Sequence, residues 1–221
     1  MISKFGAAFA ALAVVLTTGG VAQTPQENCV AHNGSNIPIP GREVMVQAFY
    51  QGGLTVFDWT DAAKPYEIAF FDRGPINAER LVSGGSWSAY WYNGHIVSSE
   101  IFRGLDIYEL VPSPLISQNE IDAAKTVKFD FLNAQEQRKL VWPPSFAKAR
   151  AYLDQLERSK GLAADKIASA RTSLAGAEKM SVSGRQAALR KLAAQVTADA
   201  AGAADAGKVN LLSTAVAELA K

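Results

Sequence analysis

Met45-Val-Gln-Ala-Phe-Tyr-Gln-Gly-Gly53-Leu-Thr-Val-Phe-Asp58 aligns without a gap on Ile96-Val-Ser-Ser-Glu-Ile-Phe-Arg-Gly104-Leu-Asp-Ile-Tyr-Glu109, and Gly104 lies 51 positions after Gly53. Each copy runs from apolar residues through a turn glycine to leucine, a β-branched residue, an aromatic residue and an acid. Self-similarity at roughly 40–50 residues on strand-like segments is the mark of β-propeller blades. Closed propellers hold about 4–8 blades, and this chain has room for about two. The expected fold is therefore α+β: an incomplete propeller followed by helices.

Around the repeat the pattern is that of strands. Glu43 to Tyr50 and Leu54 to Trp59 flank the Gly52-Gly53 turn, where glycine permits positive φ. Thr60 to Pro65 is a turn, and Tyr66 to Phe71 a further strand. In the second copy Trp87 to Tyr92 and His95 to Ile101 flank Asn93-Gly94, a strong hairpin signal. Leu105 to Leu110 comes after Gly104. The strand matching Tyr66–Phe71 is missing there, because the pattern stops at Pro112-Ser-Pro114.

From Ser117 the period becomes helical. Ser117-Gln-Asn-Glu120 reads as a capping box, and Trp142-Pro143-Pro144 interrupts the helix. Phe146, Ala149, Tyr152, Leu153 and Leu156 form an apolar stripe that Gly161 ends. Three further stripes lie beyond it: Ile167, Leu174 and Ala177; Ala188, Leu189, Leu192 and Val196; Leu211, Leu212, Val216 and Leu219. Short connections imply an antiparallel bundle. Its alanine-rich helices have high propensity and little surface to bury.

The expected organisation is a signal peptide at 1–22, blades at 28–114, a helical connector at 115–160 and a helical bundle at 161–221. The first segment has Lys4, an apolar core from Phe5 to Leu16 and small residues before Ala22, the plan of a secretory leader. That places the protein in the periplasm, at the cell surface or outside the cell. The single Cys29 excludes an internal disulfide and reads as a small buried hydrophobe. A net charge of +1, with no block of like charge, points away from nucleic acid.

Gly53-Leu-Thr-Val-Phe-Asp58 … Pro65-Tyr-Glu-Ile-Ala69 resembles a repeat of the LVIVD family of exported bacterial proteins. Gly104-Leu-Asp-Ile-Tyr-Glu109 is similar to a degenerate final copy. The resemblance implies propeller blades over about Asn28 to Pro114. Ser117 to Leu156 is similar to the segment behind the last blade in long family members. Those members carry many more blades, so a shortened secreted form, or a reading frame starting inside a longer gene, is expected.

No catalytic residue emerges. His32 and His95 are weak metal candidates, since neither H-x-x-x-H nor C-x-x-C spacing accompanies them. Ser83-Gly84-Gly85-Ser86 lacks the nucleophile elbow and the phosphate loop, and reads as a flexible connection. Trp87, Tyr90, Trp91 and Tyr92 offer a partner surface, or, with aromatics on both strand faces, a packed core. Asp58 and Glu109 end matched strands and read as turn acceptors. No cofactor is implied. The resulting expectation is a non-catalytic scaffold or recognition module at the cell envelope, binding another protein, an envelope polymer or its own kind. The alternatives are a hydrolytic or redox enzyme of propeller type, and an inactive fragment.

Overall fold

Alternation builds the β region. Gly34–Ile37 (β1), Val44–Ala48 (β2), Leu54–Asp58 (β3) and Tyr66–Phe71 (β4) pair antiparallel in chain order. Ser86–Tyr92 (β5), His95–Glu100 (β6) and Gly104–Tyr108 (β7) form a second antiparallel sheet. The helices come next: Gln118–Lys125 (α1), Phe146–Ser159 (α2), Ala164–Glu178 (α3), Val182–Asp199 (α4) and Ala206–Leu219 (α5). This computed structural model describes residues 24–136 and 138–221, so the expected signal peptide at 1–22 lies outside the described residues. The chain is α+β, with propeller-like sheets of four and three strands ahead of the helices. It divides into two units. One holds Glu43–Ser113, Phe129–Ala134 and the described residues up to Ile37; the other holds Pro38–Arg42, Pro114–Lys128 and Gln135–Lys221.

In the β unit the internal repeat is a repeat of register. Met45 opposes Phe57, Val46 opposes Val56, Gln47 opposes Thr55 and Ala48 opposes Leu54. Shifted by 51, Ile96 opposes Tyr108, Val97 opposes Ile107, Ser98 opposes Asp106 and Ser99 opposes Leu105. The two sheets stack, and Val46, Leu54, Val56 and Ala69 of the first share a small apolar cavity with Ile96, Tyr108 and Leu110 of the second. One antiparallel bridge joins them: Tyr50 and Ser86 exchange backbone hydrogen bonds of 3.0 and 2.8 Å. Gly85, at φ +93°, sits against the Tyr50 backbone, where a Cβ would collide. The Ser83–Ser86 stretch, expected as a flexible connection, is buried from Gly84 to Ser86 and brings two backbones together. Glycine there serves close approach.

The two repeat glycines differ in surroundings. Gly53 has φ +75°, and a Cβ on it would run into the Phe71 carbonyl of β4. Gly104 has φ +91° and open space around it, because among the described residues no fourth strand lies beside β7.

In the helical unit the capping box forms. The Ser117 Oγ accepts the Glu120 N–H at 3.2 Å, and Glu120 Oε2 accepts the Ser117 N–H at 2.7 Å. Glu120 is fully buried and also meets Arg42 Nη1 at 2.8 Å and Arg158 Nη2 at 2.5 Å. Arg42 donates to the Leu115 carbonyl, Gln155 to the Pro40 carbonyl and Trp142 to the Pro38 carbonyl. Segment 38–42 is thereby held to α1 and α2. The core of this unit draws on α2 (Tyr152, Leu153, Leu156), α3 (Ile167, Leu174), α4 (Leu189, Val196) and α5 (Val209, Leu212, Val216). Leu211, expected in the stripe, is 44 % exposed. It stands two positions after Val209, about 200° around the helix, whereas Leu212 and Val216 keep the i+3, i+7 spacing.

Burial pushes the Glu120 carboxyl up, but the Arg158 hydrogen bond, the charge of Arg42 and the Ser117 amide outweigh it, so the group sits below its ordinary value of 4.5. Removing one member of a buried ion pair costs about 3–5 kcal/mol, so Glu120→Gln should destabilise the helices by that order in urea unfolding followed by circular dichroism. A depressed carboxyl stabilises fully above its unfolded value and loses that contribution as pH falls through the folded one. The wild type should therefore lose stability more steeply than Glu120→Gln below pH 4.5. Gly104→Ala should cost about 1–2 kcal/mol of left-handed backbone strain, and Gly53→Ala clearly more, since it adds a backbone collision. Equal losses would contradict the neighbouring-strand account.

Candidate functional site

Equivalent positions of the two hairpins differ in cover. Val46, Leu54 and Val56 are 0 %, 3 % and 3 % exposed. Their counterparts 51 positions on, Val97, Leu105 and Ile107, are half-buried, 64 % exposed and 43 % exposed. The reason lies in the stack: the first sheet's face is covered by the second sheet, and β5–β7 turns the matching face outward. The register sets rows across it. Tyr90, Val97 and Ile107 form one row; Ser88, Ser99 and Leu105 form the next, tied by a 2.8 Å Ser88–Ser99 hydroxyl hydrogen bond. Tyr92 and His95 begin a third, where His95 Nε2 lies 3.0 Å from Glu109 Oε1. The face is apolar along its central row, with the serine row and Leu105 on one side of it and the His95–Glu109 pair on the other.

The aromatic quartet of β5 is divided. Trp91 is 2 % exposed on the inner face, and its indole N–H has no hydrogen-bond partner among the described residues. Trp87 would share that face by alternation, but the register shifts between Ser86 and Ser88 and lifts it out, leaving it 45 % exposed. It packs on His32 at a centroid distance of 4.1 Å and edge-on to Tyr50 at 5.7 Å. Tyr90 and Tyr92 lie on the outer face, half-buried, with the Tyr92 hydroxyl donating to the Asp130 carbonyl at 3.1 Å. Asn93 pairs with the Phe129 backbone through both amide atoms, at 2.9 and 2.8 Å.

His32 and His95 are not brought together. One contacts Trp87 and the other opposes Tyr92, five residues along β5, or about 17 Å of strand. Among the described residues no group of three His, Cys, Asp or Glu side chains is placed to hold a metal. Burial, with the charges of Glu27 and Asp72, pushes the Cys29 thiol up, which keeps it protonated and unreactive at neutral pH. No described helix is long and apolar enough to cross a membrane.

The acids act on structure. Asp58 accepts the Thr60 N–H at 2.8 Å and the Tyr66 hydroxyl at 3.0 Å. Its counterpart Glu109 meets His95 instead, since among the described residues that sheet has no strand to carry a second Tyr66. Glu100 is buried and accepts the N–H groups of Gly85, Phe102 and Arg103. Arg73 grips Asp106 through two hydrogen bonds of 2.9 and 2.7 Å. Burial and the Asp106 charge push the Tyr108 phenol up, so it stays protonated and donates to Asp106.

Sequence reasoning did not single out Val97, Leu105 and Ile107. The signal was available in the missing fourth strand and the 51-residue offset, which together mark them as matches of core positions. No family model, curated protein or solved structure matches this chain.

Trp91→Ala should cost about 3–5 kcal/mol, the range for emptying a large aromatic core site. Trp91→Phe should cost much less, since it keeps most of the ring volume and removes an unpaired N–H. Trp87→Ala should stay within about 1 kcal/mol. Chemical denaturation of the three variants decides whether these aromatics are core or surface; a costlier Trp87→Ala would reverse the assignment.

Proposed function

We propose that this chain is an exported, non-catalytic repeat protein of LVIVD type whose β unit acts as a scaffold or recognition module for another macromolecule at the cell envelope. The observation that carries the reading is the outward face centred on Val97, Leu105 and Ile107: it is built from the same positions that are core in the first hairpin. An apolar centre with polar groups around it is the usual make-up of a protein-binding surface. The repeated register supports the family assignment, and the composition of residues 1–22 supports export. Binding chemistry here is apolar contact between sheets, and it requires no cofactor.

Site-specific photocrosslinking tests the reading. Leu105→p-benzoylphenylalanine in intact cells should give a covalent adduct of defined mass after irradiation. The same probe at Leu211, an exposed residue of α5, should give none. Absence of an adduct at position 105, or equal adducts at both sites, would overturn the proposed role.

A further inference from the structure

We propose that the partner of this face is a second copy of the chain: the outer face of β5–β7 in one copy stacks on the outer face of β1–β4 in the next, head to tail. The inference rests on the recognition role and names its partner.

The basis is the contact already present inside each chain. There, Val46, Leu54 and Val56 of the first hairpin share a small apolar cavity with Ile96, Tyr108 and Leu110 of the second. Moving that contact forward by one repeat, the first set becomes Val97, Leu105 and Ile107. Moving the second set back by one repeat gives Met45, Phe57 and Trp59. The first set is the outward face of β5–β7. The second set lies on the outer side of β1–β4 and its rim, where Phe57 and Trp59 pack at 5.8 Å and Phe49 extends the row at 6.2 Å from Phe57. Met45 and Phe57 are half-buried and Trp59 is 41 % exposed. Both surfaces are apolar, and each is the repeat image of a surface that is buried in the chain's own stack.

One chain cannot satisfy its own two faces, since they belong to opposite sides of a two-sheet stack. A second copy satisfies one of them by the packing rule the chain already uses. Such a contact joins different surfaces, so it propagates, and it ends in a ring or a filament. Closed arrays of stacked sheets hold about 4–8 members, so at two sheets per copy about two to four copies close one.

Sedimentation velocity of the purified full chain tests the proposal. The wild type should run as a discrete oligomer of about two to four copies. Leu105→Glu and Trp59→Glu should each run as monomers, with association weakened at least about a hundredfold, because a buried unpaired carboxylate opposes stacking. Both positions are exposed, and a far-UV circular dichroism spectrum like that of the wild type with a cooperative unfolding transition will show that each variant is folded. Mixing the two monomeric variants should restore a 1:1 dimer and nothing larger, since one intact pair of faces remains. A monomeric wild type, an oligomer insensitive to Trp59→Glu, or a mixture that stays monomeric would overturn the proposal. The crosslink at position 105 separates the two readings: an adduct with a different macromolecule ends the self-assembly inference and leaves the recognition role standing, whereas no adduct ends both.

Discussion

A strand that alternates apolar residues on both faces must bury two surfaces, and a single neighbouring sheet can cover only one. The β unit of this protein is organised by that constraint. β2 and β3 put Val44, Val46, Leu54 and Val56 on one side and Met45 and Phe57 on the other; β6 and β7 repeat the arrangement with Ile96 and Tyr108 inward and Val97, Leu105 and Ile107 outward. Stacking two such sheets consumes one face of each. The remaining faces are left with exposed apolar residues, among them Leu105 and Ile107 on β7.

The helical unit solves a different problem. Its helices bury a core led by Leu153, Leu156, Leu174, Leu189 and Leu212, with alanines such as Ala149 and Ala177 filling the places between them, although the sequence suggested little surface to bury. Further definition comes from a fully buried carboxylate that needs partners in fixed places. Glu120 takes its own cap at Ser117, a guanidinium from Arg158 on α2 and another from Arg42 in segment 38–42. Burying a charge this way adds modest net stability but penalises any packing that leaves it unpaired. Ala149, at 0 % exposure, shows how closely α2 can then be approached by its neighbours.

Much of this was legible in the chain. The 51-residue offset located both hairpins, the turn glycines marked where they reverse, and Ser117 with Glu120 announced the first helix. The aromatic strand was harder. Alternation puts Trp87 and Trp91 on one face, yet the bulge after Ser86 separates them, and nothing in the composition of Ser86 to Ser88 announces a bulge. The acids Asp58 and Glu109 match in sequence and part in structure, because the partner of Asp58 is Tyr66, from a strand that has no counterpart beside β7 among the described residues. In the helices, Leu211 has the right hydrophobicity and the wrong angle.

The sequence by itself determined which residues alternate, where the chain turns and where strand gives way to helix, since those depend on side chains a few positions apart. Only the tertiary structure decided which of two equally apolar faces would be covered. That outcome depends on what stacks against each sheet: Val46 and Val97 occupy the same place in their hairpins, and one is core while the other meets solvent because a sheet lies over the first.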